Sequence, residues 1–247
     1  MLEYHSSRGR APSLHFPDVL LTGLAPDGGL YLPSSWPALT DAAPDDYASL
    51  ATAVMAPFVA DTIPADDFAE MVASAYASFD HDEVVPIVQL DEHHHLLELF
   101  HGPTLAFKDV ALQLVGRLFD YELRRRNDRV MIVGATSGDT GSAAMEAVRD
   151  SDLVDIVVLF PEGRTSDVQR RQMTTLGAPN VHAVAVEGTF DDCQDLVKAM
   201  FAHEPFRERN RLSAVNSINW ARVMAQIVYY VWASQRLGRR DTPTTFC

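Results

Sequence analysis

Val130-Met131-Ile132-Val133-Gly134-Ala135-Thr136-Ser137-Gly138-Asp139-Thr140-Gly141 is the stretch that decides the fold of this 247-residue chain. The four residues 130–133 form a short apolar run of the kind buried in a parallel sheet. The eight that follow make a loop rich in glycine and hydroxyls, opening onto a helix over 141–149. The same unit recurs downstream. A strand over 156–160 leads to a helix from about 166 to 176, and a strand over 181–186 leads to a helix over 190–202. A long apolar helix from about 218 to 237 closes the series. Strands alternating with helices in this way predict an α/β fold, an open parallel sheet with helices on both faces.

Upstream of this unit, residues 84–90 and 96–100 read as extended, with Asp91-Glu92-His93-His94-His95 as the turn between them. Residues 1–80 or so form a helical, loop-punctuated module. In it, Asp27-Gly28-Gly29 is a turn before a short extended segment over 30–33. Helical spacing covers 48–58 and 67–79, with Asp66 or Asp67 placed to cap the second helix, and Pro44, Pro57 and Pro64 divide the pieces. The chain thus divides into an N-terminal module over 1–83 and an α/β domain over 84–247. No internal repeat or low-complexity segment interrupts it.

Composition narrows the partners. A formal charge of −14 argues against nucleic acid or an anionic membrane surface, so an anionic substrate must be held by local donors. Two cysteines, Cys193 and Cys247, make neither a disulfide framework nor a metal-binding pattern. His93, His94 and His95 are consecutive and lack metal-ligand spacing, so no metal is expected. No basic-then-apolar leader and no membrane-length apolar run is present, which gives a soluble cytoplasmic protein as the economical reading. Oligomeric state is left open.

Chemistry concentrates in three places. The first is Leu99-Phe100-His101-Gly102-Pro103-Thr104-Leu105-Ala106-Phe107-Lys108-Asp109, which sets a lysine behind a Gly-Pro turn at the mouth of an amphipathic helix. The chain holds only one other lysine, Lys198, and places the rest of its positive charge on arginine, which stays protonated in a protein. The positive helix end and flanking Phe107 favour a neutral amine at Lys108, suited to a Schiff base with an aldehyde cofactor. Asp109 opposes this unless its carboxylate is occupied by the helix N-terminus. A surface lysine that merely starts a helix accounts for the same residues. The second place is the Gly134–Gly141 loop, whose glycines, hydroxyls and helix-opening N–H groups suit an anion; a tight turn with an Asp or Thr cap is the plain alternative. It matches neither dinucleotide nor Walker patterns. The third is Asn216-Ser217-Ile218-Asn219-Trp220-Ala221-Arg222, where Asn216 and Ser217 can cap the long helix and Arg222 follows within two turns. Polar groups and an arginine there suit a phosphate, although ordinary capping also explains them.

These three motifs, in this order, resemble the threonine synthases, pyridoxal-phosphate enzymes of the tryptophan-synthase-β fold class (fold type II). Gly23-Leu24-Ala25-Pro26-Asp27-Gly28-Gly29-Leu30-Tyr31 is similar to that family's N-terminal signature, and residues 101–109 to its cofactor-lysine site. The resemblance implies conversion of O-phospho-L-homoserine and water to L-threonine and phosphate. It assigns Lys108 to covalent attachment of pyridoxal 5′-phosphate and to proton transfer at Cα and Cβ. Phe107 and Asp139 would face the cofactor, Asp139 close to the ring hydroxyl. Thr136, Ser137 and Gly138 would bind the substrate carboxylate; Thr140, Asn216, Ser217 and Arg222 would hold the leaving phosphate. Asp139 stands where many relatives of the fold class carry asparagine.

The chain departs from the family at its end. The Gly-Asn-rich loop that cradles the cofactor phosphate, and the late residue that meets the pyridine nitrogen, are absent from 247 residues. The expectation is a fragment with an incomplete sheet, an unpaired edge, exposed apolar helix faces and little activity alone. Two further readings share these features: another fold-type II lyase acting on a phosphorylated amino acid, and a non-catalytic remnant that binds a partner.

Overall fold

The computed structural model describes residues 1–39, 44–213, 219–238 and 244–247. In chain order its elements are β1 (Tyr4–Ser6), α1 (Phe16–Thr22), β2 (Tyr31–Pro33), α2 (Tyr47–Val59), α3 (Ala65–Tyr76), β3 (Ile87–Gln89), β4 (His95–Leu97) and α4 (Asp109–Arg126). There follow β5 (Val130–Ala135), α5 (Asp139–Val148), β6 (Val154–Pro161), α6 (Asp167–Thr174), β7 (Val181–Val186), α7 (Phe190–Ala202), α8 (Glu204–Arg209), β8 (Leu212–Ser213) and α9 (Trp220–Leu237).

The predicted α/β domain is present as a four-stranded parallel sheet in the order β7-β6-β5-β8. Gly134 and Ala135 still pair with Val158 and Leu159, so β5 stays in register up to the loop that starts at Thr136. That loop therefore leaves the sheet at the carboxyl ends of the strands, where ligands of open α/β sheets bind. The predicted hairpin exists but is shorter, with only Ile87–Gln89 pairing against His95–Leu97. β8 and α8 were not expected, because a two-residue strand and a six-residue helix carry too few positions to show a period. The predicted apolar exposure is present on one flank. β7 lies at an edge of the sheet, α7 buries only Cys193, and Val168, Val184 and Leu196 are exposed.

Helix α4 forms the centre. Twelve of its eighteen residues are buried, and α3, α5 and α9 pack around it. Its C-terminus ends on Asn127 in the left-handed region (φ 51°), whose N–H returns to the Arg124 carbonyl, and Arg124–Arg126 lie in the last turn as predicted. Helix α9 joins this centre to the N-terminal residues. Trp232 packs edge-on against Tyr47 at 5.3 Å and donates from Nε1 to the Val85 carbonyl at 3.1 Å, while Trp220 meets Tyr4 and Phe58. The N-terminal turn closes around Asp27, whose carboxylate accepts from Ser6 Oγ, Gly29 N, Arg10 N and Ala11 N at 2.7–3.1 Å. These donors pull its carboxyl down to about 2.

Two caps differ from expectation. Neither Asp66 nor Asp67 caps α3; Pro64 holds that position, and Asp67 instead accepts from Tyr121 Oη at 2.8 Å. The cap of α9 is Asn219, which accepts from Ala221 N at 2.9 Å and donates to the Leu20 carbonyl at 2.8 Å. Asn216 and Ser217 lie outside the described residues.

Helices α4 and α5 touch at Gly116, where an added Cβ would collide with the Ala147 carbonyl. Gly→Ala inside a helix ordinarily stabilises by about 1 kcal/mol. Here the sign should reverse: Gly116→Ala should cost about 1–3 kcal/mol in urea unfolding, as overpacked cores do.

Candidate active site

The lysine loop is organised by the residue next to the lysine. Asp109 is fully buried, and its carboxylate accepts from Thr104 N and from Thr104 Oγ1, both at 2.8 Å. This reach-back closes the Gly102–Lys108 turn, in which Leu105 takes a positive φ of 59°. Gly102 is required there because a Cβ would collide with the Asp109 side chain. Burial pushes the Asp109 carboxyl up, against the bonds from Thr104 that oppose the rise. Asp109 is therefore engaged with its own loop rather than with Lys108.

Lys108 is the N-cap residue of α4, and its partner comes from the second loop. Its Nζ lies 3.3 Å from Asp139 Oδ2 and 4.6 Å from the Phe107 ring centre, with the side chain 16% exposed. The Thr136–Gly141 loop is held by Thr136, whose buried Oγ1 accepts from Gly138 N at 3.0 Å and Gly141 N at 2.9 Å. Gly138 is the N-cap of α5 at φ 149°. The hydroxyl of Thr136 thus shapes the loop from within, while Ser137 is exposed at its tip and Thr140 is half-buried. Among the described residues, the Ser137, Asp139 and Thr140 amides have no protein acceptor. Those three N–H groups at the opening of α5 can bind a carboxylate or phosphate oxygen.

The structure brings Lys108, Phe107, Asp139 and the Thr136–Thr140 loop together. Arg222 sits in the first turn of α9, 2% exposed, and no hydrogen bond or ion pair joins it to those residues among the described ones. Its Nε and Nη1 are likewise without a partner there, and burial lowers its pKa. Buried guanidinium N–H groups left without a partner are costly unless an anion meets them. Sequence reasoning missed two residues, Gln169 and Gln172 of α6. Gln169 Nε2 donates to Asp139 Oδ1, and Gln172 Nε2 donates to the Thr104 carbonyl at 2.8 Å. Their i, i+3 spacing was the available signal, but it does not say what the shared face meets.

The site is chemically legible at one end: a single amine at a helix mouth, an apolar ring beside it, a carboxylate across from it and free amides within the same loop. Comparison with known proteins gives this a context. Residues 3–76 match the family model for the threonine synthase N terminus, and residues 81–247 match that for pyridoxal-phosphate dependent enzymes. A threonine synthase from Pseudomonas aeruginosa is 55% identical over 250 residues, covering 99% of this chain and 53% of the relative. The crystal structure of a pyridoxal-phosphate-bound threonine synthase from Brucella melitensis superposes with a TM-score of 0.94 at 54% identity, over 99% of this chain and 54% of that one. The yeast threonine synthase structure gives 0.90 at 42% identity, over 96% and 50%. The chain spans about half the length of the curated relatives it matches.

Because burial holds the Asp109 carboxyl above its usual value, the folded protein keeps that proton to higher pH than the unfolded chain. Its contribution to stability is then fullest at low pH, and declines as pH rises from the ordinary carboxylate range through the raised folded value. The urea-stability difference between the protein and its Asp109→Asn variant should fall across that window and level off above it. A difference independent of pH would mean that the Thr104 bonds cancel the effect of burial.

Proposed function

This chain belongs to the pyridoxal-phosphate-dependent enzyme family, and on that premise we propose that it is the N-terminal half of a threonine synthase. The reaction is the conversion of O-phospho-L-homoserine and water to L-threonine and phosphate, in the cytoplasm, with residues 1–83 as the N-terminal module and 84–247 as the cofactor domain. The observation that carries the reading is the Lys108 amine, 3.3 Å from Asp139, where the openings of α4 and α5 meet.

When bound, the cofactor supplies an aldehyde carbon for the lysine and an electron sink for charge that develops on the substrate. The residues present fit its aldehyde end. Lys108 Nζ is the amine that would hold it covalently, and the same amine would move protons at Cα and Cβ of the substrate. Asp139 orients that amine and is the partner for the ring hydroxyl, and Phe107 provides an apolar wall. The free Ser137 and Asp139 amides hold the substrate carboxylate; Thr136 and Gly138, expected to bind it as well, instead shape the loop, since the Gly138 N–H is spent on Thr136 Oγ1. Thr140, Asn216, Ser217 and Arg222 take the phosphate, and the desolvated guanidinium of Arg222 supports that role because an anion would satisfy its unpaired N–H groups.

Reduction of the protein–cofactor mixture with borohydride, followed by peptide mapping, tests the assignment. The amines able to react are those of Lys108 and Lys198 and the α-amino group of Met1, which peptide mapping tells apart. The adduct is expected on Lys108, and Lys108→Ala should abolish it. An adduct on Lys198 with Lys108 unmodified would overturn the reading.

A further inference from the structure

Helix α6 touches both loops of the site while packing little of itself. Of its eight residues only Met173 is buried, and Gly163 (φ 67°) and Gly177 (φ 65°), both in the left-handed region, flank it. A helix this short gains little from intrinsic propensity. Its contacts with the site are two glutamine amides. Gln169 Nε2 donates to Asp139 Oδ1, while Lys108 donates to the other oxygen, Oδ2, from 3.3 Å. Gln172 Nε2 donates to the carbonyl of Thr104, the residue whose amide and hydroxyl engage Asp109.

We propose that Gln169 is a positioning residue for Lys108, acting through Asp139. It holds one carboxylate oxygen so that the other faces the amine, and Gln172 fixes α6 to the lysine loop so that Gln169 stays within reach. Gly138 belongs to the same fit, since a Cβ there would collide with the Gln169 amide. A carboxylate held by one donor can swing about its Cβ–Cγ bond; one held by donors from two elements cannot. The proposal rests on Lys108 as the reactive amine, but its test needs no cofactor.

The test uses the fact that the chain has two lysines. Lys108 is 16% exposed, whereas Lys198 is 71% exposed and, among the described residues, pairs only with Asp195 on its own helix, so it serves as an internal reference. Reductive methylation with ¹³C-formaldehyde and cyanoborohydride, followed by NMR of the methylated amines, gives the ratio of their labelling rates. Asp139 is about half-exposed, so water replaces the donor lost in Gln169→Leu and the carboxylate's position is what relaxes. Gln169→Leu should raise the Lys108-to-Lys198 ratio about two- to five-fold, the range of a partly exposed ion pair. Asp139→Asn should raise it at least as far. Adding Gln169→Leu to Asp139→Asn should then change nothing, because the route through Asp139 is gone.

An unchanged or lowered ratio in Gln169→Leu, or an equal rise in the Asp139→Asn background, would overturn the proposal. Where circular dichroism shows that Gln169→Leu fails to fold, Gln172→Leu carries the same cycle, with a smaller rise that must also vanish with Asp139→Asn. A failed borohydride mapping would leave these ratios unaffected, so the two readings fail separately.

Discussion

Helix α4 is enclosed by α3, α5 and α9, and that enclosure sets the position of everything at its N-terminus. A helix buried on most of its surface cannot rotate without exposing apolar side chains or burying its arginines. Asp109, the first residue of α4, is held at zero exposure and pulls the Gly102–Lys108 turn back onto the helix through Thr104. Lys108, the residue before Asp109, reaches toward the loop that follows β5 and meets Asp139. The placement of the Lys108 amine is thus a by-product of core packing, with little needed from the lysine itself.

The electrostatics of the site run against those of the whole chain. The protein carries a formal charge of −14, yet the features suited to anions are local: free amides at α5 and a desolvated guanidinium at Arg222. Long-range attraction would not favour a phosphorylated substrate here. Short-range donors in a low-dielectric setting are a different matter, because their strength comes from the exclusion of water. Arg222 illustrates the cost, since buried guanidinium N–H groups such as its Nε and Nη1, without a partner among the described residues, destabilise the fold that holds them.

Much of this was readable in the sequence. The alternation from Val130 onward gave the parallel sheet because each apolar strand and its following helix are long enough to show a period. Residues 101–109 pointed to Lys108, since a lone lysine beside Gly-Pro and Phe is unusual chemistry in an arginine-rich chain. What was hidden depends on long-range geometry. Gln169 and Gln172 drew no notice, because nothing local says that α6 turns them toward Asp139 and Thr104. The capping role of Asn219 was hidden by equally suitable neighbours, and the Asp66 or Asp67 cap was a local preference that Tyr121 and Pro64 displaced.

The stitching by α9 also bears on how the chain comes off the ribosome. Tyr4, Tyr47 and Val85 find their tryptophan partners only at positions 220 and 232, and β5 gains its outer neighbour only at Leu212. Sequence-distant pairings carry a loop-closure cost and form slowly. The amino-terminal residues therefore emerge long before the helix that completes their core. During synthesis they are an unfinished surface of aromatic side chains, the sort of surface that chaperones recognise and that aggregates when left waiting. Helix α9 is in this sense a latch whose timing, as much as its packing, bears on the yield of folded protein.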